Sequence, residues 1–147
     1  MTFIVLPMLM ATCHNPFFLS RDVRQGCPLS PLLYVLVSEV LAVNIRANPR
    51  ICGLTLPGLQ DLLPPILQYA DDTSIIVTSA DAMKVTFETY STYEKGSGSK
   101  SNLSKSKGLL LGSWNGRQDP PVNLDWSSTM IKVLGVFIGF GNLEEAN

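Results

Sequence analysis

Cysteine is scarce in this 147-residue chain, and the three present, Cys13, Cys27 and Cys52, are odd in number. None stands in the paired spacing of a zinc site, and an odd set cannot close a disulfide framework. Reduced thiols of an intracellular protein, nuclear or cytoplasmic, are therefore expected. Histidine is scarcer still: His14 stands alone, without a carboxylate or second histidine close in sequence, and is read as a loop residue. A basic surplus is also missing. The net charge of −1 counts against autonomous nucleic-acid binding, though a local basic patch remains compatible with it. No run is expected to cross a membrane. The apolar opening from Met1 to Ala11 is too short, is interrupted by Pro7, and lacks the positively charged start of a secretory signal.

What the chain does have is apolar mass. Hydrophobic residues make up 46%, enough for a packed core and against wholesale disorder. The length is room for one domain or for part of a larger one.

The first residues, Thr2 to Thr12, fit a short buried helix or a strand, and periodicity does not decide between them. Phe17-Phe18-Leu19 reads as a short strand after the turn pair Asn15-Pro16. In Arg24-Gln25-Gly26-Cys27-Pro28-Leu29-Ser30-Pro31, a basic, polar, glycine-bearing tip precedes a helix. Arg24 can pair with phosphate, Gln25 can hydrogen-bond a sugar or base, and Gly26 leaves room for a nucleotide. Ser30 suits an N-cap with Pro31 at the first helical position. The helix should bury a stripe of Leu33, Leu36, Val37, Val40, Leu41 and Asn44 and end at Asn48-Pro49.

Further on, Ile66-Leu67-Gln68-Tyr69-Ala70-Asp71-Asp72-Thr73-Ser74-Ile75-Ile76-Val77 places an acidic pair between two apolar, β-branched runs. This is the pattern of a β-hairpin with Asp71 and Asp72 at or beside a tight turn, where a short polar residue tolerates positive φ. A solvated turn accounts for the pair as well as chemistry does. The chemical alternative is cation binding: adjacent carboxylates repel unless a cation lies between them, and Mg²⁺ takes one or two carboxylates with substrate phosphates.

After Ser79, an N-cap candidate, a helix is expected from about Ala80 to Glu94, packing Met83, Phe87 and Tyr90 on the sheet. The glycine-rich segment Lys95 to Ser101 should stop it. A basic segment around Lys105 then leads into an apolar strand. The stretch Trp114 to Trp126 should be a connection, and Ile131 to Gly139 a strand or hairpin with a central glycine.

Taken together, these segments resemble a known family. Tyr69-Ala70-Asp71-Asp72 resembles the Tyr-x-Asp-Asp box of reverse transcriptases, and the eight-residue string Arg24 to Pro31 closely resembles a nucleotide- and template-contacting motif of LINE-type, non-LTR retrotransposon reverse transcriptases. Asn102-Leu103-Ser104-Lys105 resembles the next motif, and Leu134-Gly135 the primer-grip segment, all in the family's order between about residues 18 and 139.

The resemblance implies an α+β fold, an incomplete reverse-transcriptase palm in which an antiparallel sheet bearing the catalytic hairpin packs on helices. The reaction implied is RNA-templated DNA synthesis with two Mg²⁺ ions. Asp71 and Asp72 would be catalytic metal ligands, and Lys105 would sit near the nucleotide phosphates and protonate the departing pyrophosphate. Arg24, Gln25, Gly26 and Tyr69 would line the nucleotide or template. RNA template, DNA primer and a deoxynucleotide would be the partners.

One thing the family requires is lacking. A further aspartate on an upstream strand has no counterpart, because the only aspartate before Arg24 is Asp22, which stands in no such setting. The chain is therefore expected to be a reverse-transcriptase fragment with little or no activity by itself. The alternative is a non-enzymatic retrotransposon remnant with at most weak RNA or DNA binding.

Overall fold

The structure is a computed structural model in which residues 28–55, 58 and 62–141 are described. Arg24, Gln25 and Gly26, and the expected elements before them, lie outside these residues. Two long helices and six short strands order the described part, an α+β arrangement.

The first helix, α1 (Ser30–Ala47), begins one residue earlier than expected: Leu29 is the N-cap, in helical conformation and without a side-chain cap, and Ser30 is already in the helix. It ends at Asn48, whose extended backbone precedes Pro49 as anticipated. The buried stripe differs from the expected one. Leu41, Ala42 and Ile45 are fully buried, while Leu36, Val37 and Val40 are exposed at 67%, 48% and 54%. Burial needs an opposing surface, and the described residues provide one for the C-terminal turns, where α1 meets the second helix and the first strand.

At 18 residues and mean hydropathy 1.3, α1 is also long and apolar enough to cross a membrane by length and composition. That corrects the expectation that no run is, although an apolar helix of a packed domain passes the same test. Within its length Arg46 pairs with Glu39 at 2.9 Å, and Asn44 donates to the Val40 carbonyl.

Strands β1 (Ile66–Tyr69) and β2 (Asp72–Ile75) form the antiparallel hairpin, paired from Ile66–Ile75 to Tyr69–Asp72. Ile66 and Ile75, facing each other at its open end, are each 1% exposed and anchor it in the core. Pro65, without an N–H, still accepts from Ile76 N at 2.9 Å, so the ladder runs one step past the strand.

Helix α2 (Ala80–Ser97) starts as expected, with Ser79 Oγ accepting from Ala82 N at 3.0 Å. Met83 and Tyr90 are buried and Phe87 packs against the same cluster. The helix runs past Gly96 and stops at Gly98, whose φ of 75° supplies the left-handed cap. Glycine content is not the stop signal; the left-handed residue is.

Beyond α2 the expected single antiparallel sheet is replaced by separate two-stranded pairs. Strand β3 (Lys107–Leu109) pairs in parallel with β4 (Asp125–Ser127), and β5 (Met130–Val133) forms an antiparallel hairpin with β6 (Val136–Gly139). Strands of three or four residues carry too few ladder bonds to merge without side-chain packing between them. That packing is local: Leu109 on β3 and Ile131 on β5 form a second small core with Ile76, Leu111 and Val133. The connection predicted from Trp114 to Trp126 is instead closed by the start of β4. At Gly108 an added Cβ would run into the Trp126 ring, whose indole is held by donation to the Val122 carbonyl at 2.8 Å. Gly108→Ala should therefore cost about 1–3 kcal/mol through overpacking. A urea titration showing no loss of stability would disprove the close approach.

Candidate active site

The acidic hairpin closes with two residues, Ala70 and Asp71, between the paired Tyr69 and Asp72. Two-residue loops demand positive φ, and here Ala70 takes it at 51°, whereas neither aspartate does. The left-handed residue of the turn is thus an alanine and not one of the aspartates, the short polar residues expected to tolerate it. An alanine there carries a left-handed penalty that an asparagine or glycine avoids.

Asp71, in the turn, and Asp72, the first residue of β2, line different cavities. Exposed Asp71 lines a small cavity of about 30 Å³ with Tyr34, Gln68, Thr73, Tyr93 and Glu94. That is room for a water or two. Half-buried Asp72 lines the other side, a cleft of about 620 Å³ shared with Lys105, Lys107, Asp125, Lys132 and Phe137. Tyr69 is 70% exposed beside the tip.

Lys105 reaches that cleft through a turn built by Asn102. The Asn102 carbonyl accepts from Lys105 N and Ser106 N, both at 3.1 Å. Its side-chain oxygen accepts from Ser104 Oγ at 2.7 Å and from Lys105 N at 3.3 Å. An asparagine followed three residues later by lysine thus makes a side-chain-stapled turn with the lysine at its end. Also lining the cleft, Lys107 pairs with its strand partner Asp125 at 3.6 Å. The Lys132 ammonium stacks over its cross-strand partner Phe137, 5.1 Å from the ring centre.

The opposite face of the hairpin is fastened to α2. Buried Tyr90 shares a side-chain hydrogen bond with Thr73, the residue after Asp72, and burial pushes its hydroxyl up to about 12 against that bond. Burial, and then the Tyr93 and Asp71 charges, raise Tyr34 as well. Read from sequence, Tyr90 was a core residue; it is also a tie to the strand bearing Asp72. A threonine beside the acidic pair and a tyrosine on the buried stripe were the available signal.

Mg²⁺ takes one or two carboxylates together with phosphates and waters. The hairpin offers that number, one carboxylate on each side, but among the described residues no group of three or more His, Cys, Asp or Glu converges. The roomier Asp72 side fits a hydrated cation as a partial site; the Asp71 cavity does not fit one without opening.

An acidic hairpin facing a lysine-lined cleft on an α+β frame is the kind of site that polymerases of nucleic acid use. The family model of reverse transcriptase (RNA-dependent DNA polymerase) matches residues 2–138, and the chain belongs to that family. It is 36% identical over 125 residues to the Transposon TX1 uncharacterized 149 kDa protein of Xenopus laevis, a match covering 84% of this chain and 9% of that protein. The chain therefore spans under a tenth of the length of that relative. Family and relative together bear out the resemblance to reverse transcriptases of non-LTR retrotransposons. Members of the family act on template, primer and nucleotide and use divalent metal ions.

Two outcomes test the hairpin. Ala70→Gly should raise stability by roughly 0.5–1 kcal/mol, the left-handed penalty of about 1–2 kcal/mol less the entropy of the freer glycine; a lower urea midpoint would contradict it. For Tyr90, a folded value above the ordinary 10.0 means that the folded chain keeps its proton where the unfolded chain has lost it. Its contribution is complete below pH 10 and falls away as pH rises toward about 12, a loss on the order of 2–3 kcal/mol. Tyr90→Phe should flatten that part of the stability profile, and an unchanged alkaline slope would show the group titrating normally.

Proposed function

We propose that this chain is the palm portion of a non-LTR retrotransposon reverse transcriptase, the part that presents the acidic hairpin to the primer end and the incoming deoxynucleotide. The observation that carries this reading is that Asp72 and Lys105, far apart in sequence, face one cleft of about 620 Å³. A carboxylate and an ammonium lining one cleft suit a polyphosphate whose charge is shared between a cation and a proton donor.

In this reading Asp71 and Asp72 are the chain's carboxylates toward Mg²⁺. Bound divalent ions supply activation of the primer 3′-hydroxyl and stabilisation of the leaving oxygen. Asp72 orients the reacting end from the cleft wall, and Asp71 adds negative charge at the tip. Lys105 offsets charge on the pyrophosphate and can deliver a proton to it. Tyr69, exposed beside the tip, presents a ring against nucleotide or primer, while Arg24, Gln25 and Gly26 contact nucleotide or template. RNA template and DNA primer are the partners, and the setting is intracellular, nuclear or cytoplasmic.

The described residues bring no third carboxylate to this pair. We accordingly expect the isolated chain to bind a divalent ion weakly at the hairpin and to extend no primer. The check is a Mn²⁺ titration followed by paramagnetic broadening of backbone amides, run beside an RNA-templated primer-extension assay in Mg²⁺. Broadening centred on Ala70 to Thr73, lost in Asp72→Asn, with extension at background, is the expected result. Broadening elsewhere would remove the metal role, and extension abolished by Asp71→Asn would make the chain an active polymerase by itself.

A further inference from the structure

The face of α1 turned away from the core is as regular as the buried one. Leu29, Leu33, Leu36, Val40 and Val43 recur at alternating steps of four and three residues, the spacing of a coiled-coil seam. All five are exposed, by 38% to 67%. The buried Leu41, Ala42 and Ile45 run along the opposite side, so α1 is already held as a helix by its own domain and presents the seam preformed. Beside the seam, α1 and α2 bound a groove of about 770 Å³, with Leu36, Val37 and Val40 on one wall and Thr89, Thr92 and Gly96 on the other. None of its described lining residues carries a charge. The threonines also satisfy their hydroxyls within α2: Thr89 Oγ1 donates to the Val85 carbonyl at 2.9 Å and Thr92 Oγ1 to the Glu88 carbonyl at 3.0 Å. Asn44 likewise donates to the Val40 carbonyl at 2.8 Å. A groove whose donors are already engaged favours an apolar occupant.

We propose that this face is a self-association surface, on which the α1 seam of a second copy seats against the seam and the groove beside it, about a two-fold axis. A two-fold contact requires a patch that complements itself. An uncharged row of leucine and valine meets that condition where a surface of one charge sign does not. Glu39 and Arg46, which flank the seam, pair within their own helix at 2.9 Å and so add no repulsion between copies. The area is sufficient. At roughly 60–120 Å² for each aliphatic side chain hidden, the half-exposed seam with Leu32 and Val37 comes to about 500 Å² per copy. A pair then hides about 1,000 Å², the lower bound of a specific interface, and the α2 wall adds to it. That wall is made of small residues, which let another helix approach closely. A bilayer, the other apolar partner, would have to draw α1 out of its domain and expose Leu41, Ala42 and Ile45, whereas a second copy leaves the domain intact. The inference does not rest on the polymerase reading.

The test is sedimentation equilibrium of the whole chain across the micromolar range, where an interface of this size without charged anchors should dissociate reversibly. A monomer–dimer equilibrium is the expected result. Val40→Asp, which would bury an unpaired charge in the seam, should weaken it at least about tenfold. Gly96→Lys probes the groove from its other wall. An added Cβ there meets no described atom within 4 Å, and lysine is the better helix former by up to about 1 kcal/mol. That variant should therefore hold or raise its urea midpoint, measured at a dilution where the chain is monomeric, while association weakens at least about tenfold. Val35→Asp, on the same helix and 58% exposed but off both seam and groove, should leave association unaltered. A monomer at every concentration overturns the proposal. Equal weakening by Val35→Asp, or a dimer untouched by both Val40→Asp and Gly96→Lys, overturns this surface as the contact. Co-flotation of the monomer with phosphatidylcholine vesicles, without a dimer, overturns it in favour of lipid. None of these results depends on primer extension or on Mn²⁺ binding at Asp71 and Asp72, which test the polymerase reading separately.

Discussion

The two-residue turn between β1 and β2 governs how everything around it is arranged. Closing the hairpin on Ala70 and Asp71 fixes the register that puts Ile66 against Ile75 at the buried end and Tyr69 against Asp72 at the tip. A slip of one residue would turn every side chain of a strand to the opposite face. It would carry Ile75 out of the core and exchange the two aspartates between the helix side and the lysine cleft. The buried isoleucine pair and the Tyr90–Thr73 hydrogen bond make that slip costly from two directions, one apolar and one polar. Rigidity at the base of the hairpin is what gives the carboxylates at its tip a defined place.

Local sequence rules carried the fold a long way. Both helices, the hairpin, the Ser79 cap and the end of α1 at Asn48-Pro49 follow from capping, periodicity and turn chemistry. The buried face of α1 did not. Nearly every position from Leu32 to Val43 is apolar, so hydrophobicity has no direction to report. The stripe that is buried or partly buried, Tyr34, Ser38, Leu41, Ala42 and Ile45, includes a tyrosine and a serine. A helix apolar all round shows that it has partners, not where they are.

The candidate site was legible to the same degree and for the same reason. Tyr69, Asp71, Asp72 and Lys105 were named from local strings. Their division between two cavities came from where the turn gives way to β2 together with the position of α2. The places of Lys107, Lys132 and the Tyr90 tie depend on pairings such as Lys107–Asp125 and Lys132–Phe137. Lys132 and Phe137 face each other across a second hairpin, but Lys107 and Asp125 meet through a parallel crossover of 18 residues, and no short window of sequence contains that pair. The parallel β3–β4 pair was the least legible element, since its strands have only three residues each, too few for alternation to register.

Charge shows how far an average misleads. A net value of −1 argued against affinity for nucleic-acid chemistry, yet over about 8 Å, the screening length at physiological salt, the sum over the whole chain has little bearing on a ligand. What acts on a phosphate in the cleft is the local set of three lysines and two aspartates. Elsewhere charges cancel in close pairs: Arg50 with Asp81 at 2.7 Å and Arg117 with Asp119 at 3.0 Å. Such pairing removes arginine, the stronger phosphate fork, from the described surface away from the hairpin. The lysines around Asp72 are thereby left as the concentrated source of positive field next to the acidic tip. An anion entering there meets attraction from the walls and repulsion from the tip, and cation occupancy at Asp72 would reverse the second term. Affinity for phosphate and affinity for a divalent ion at this site are thus coupled in sign: each makes the other more favourable.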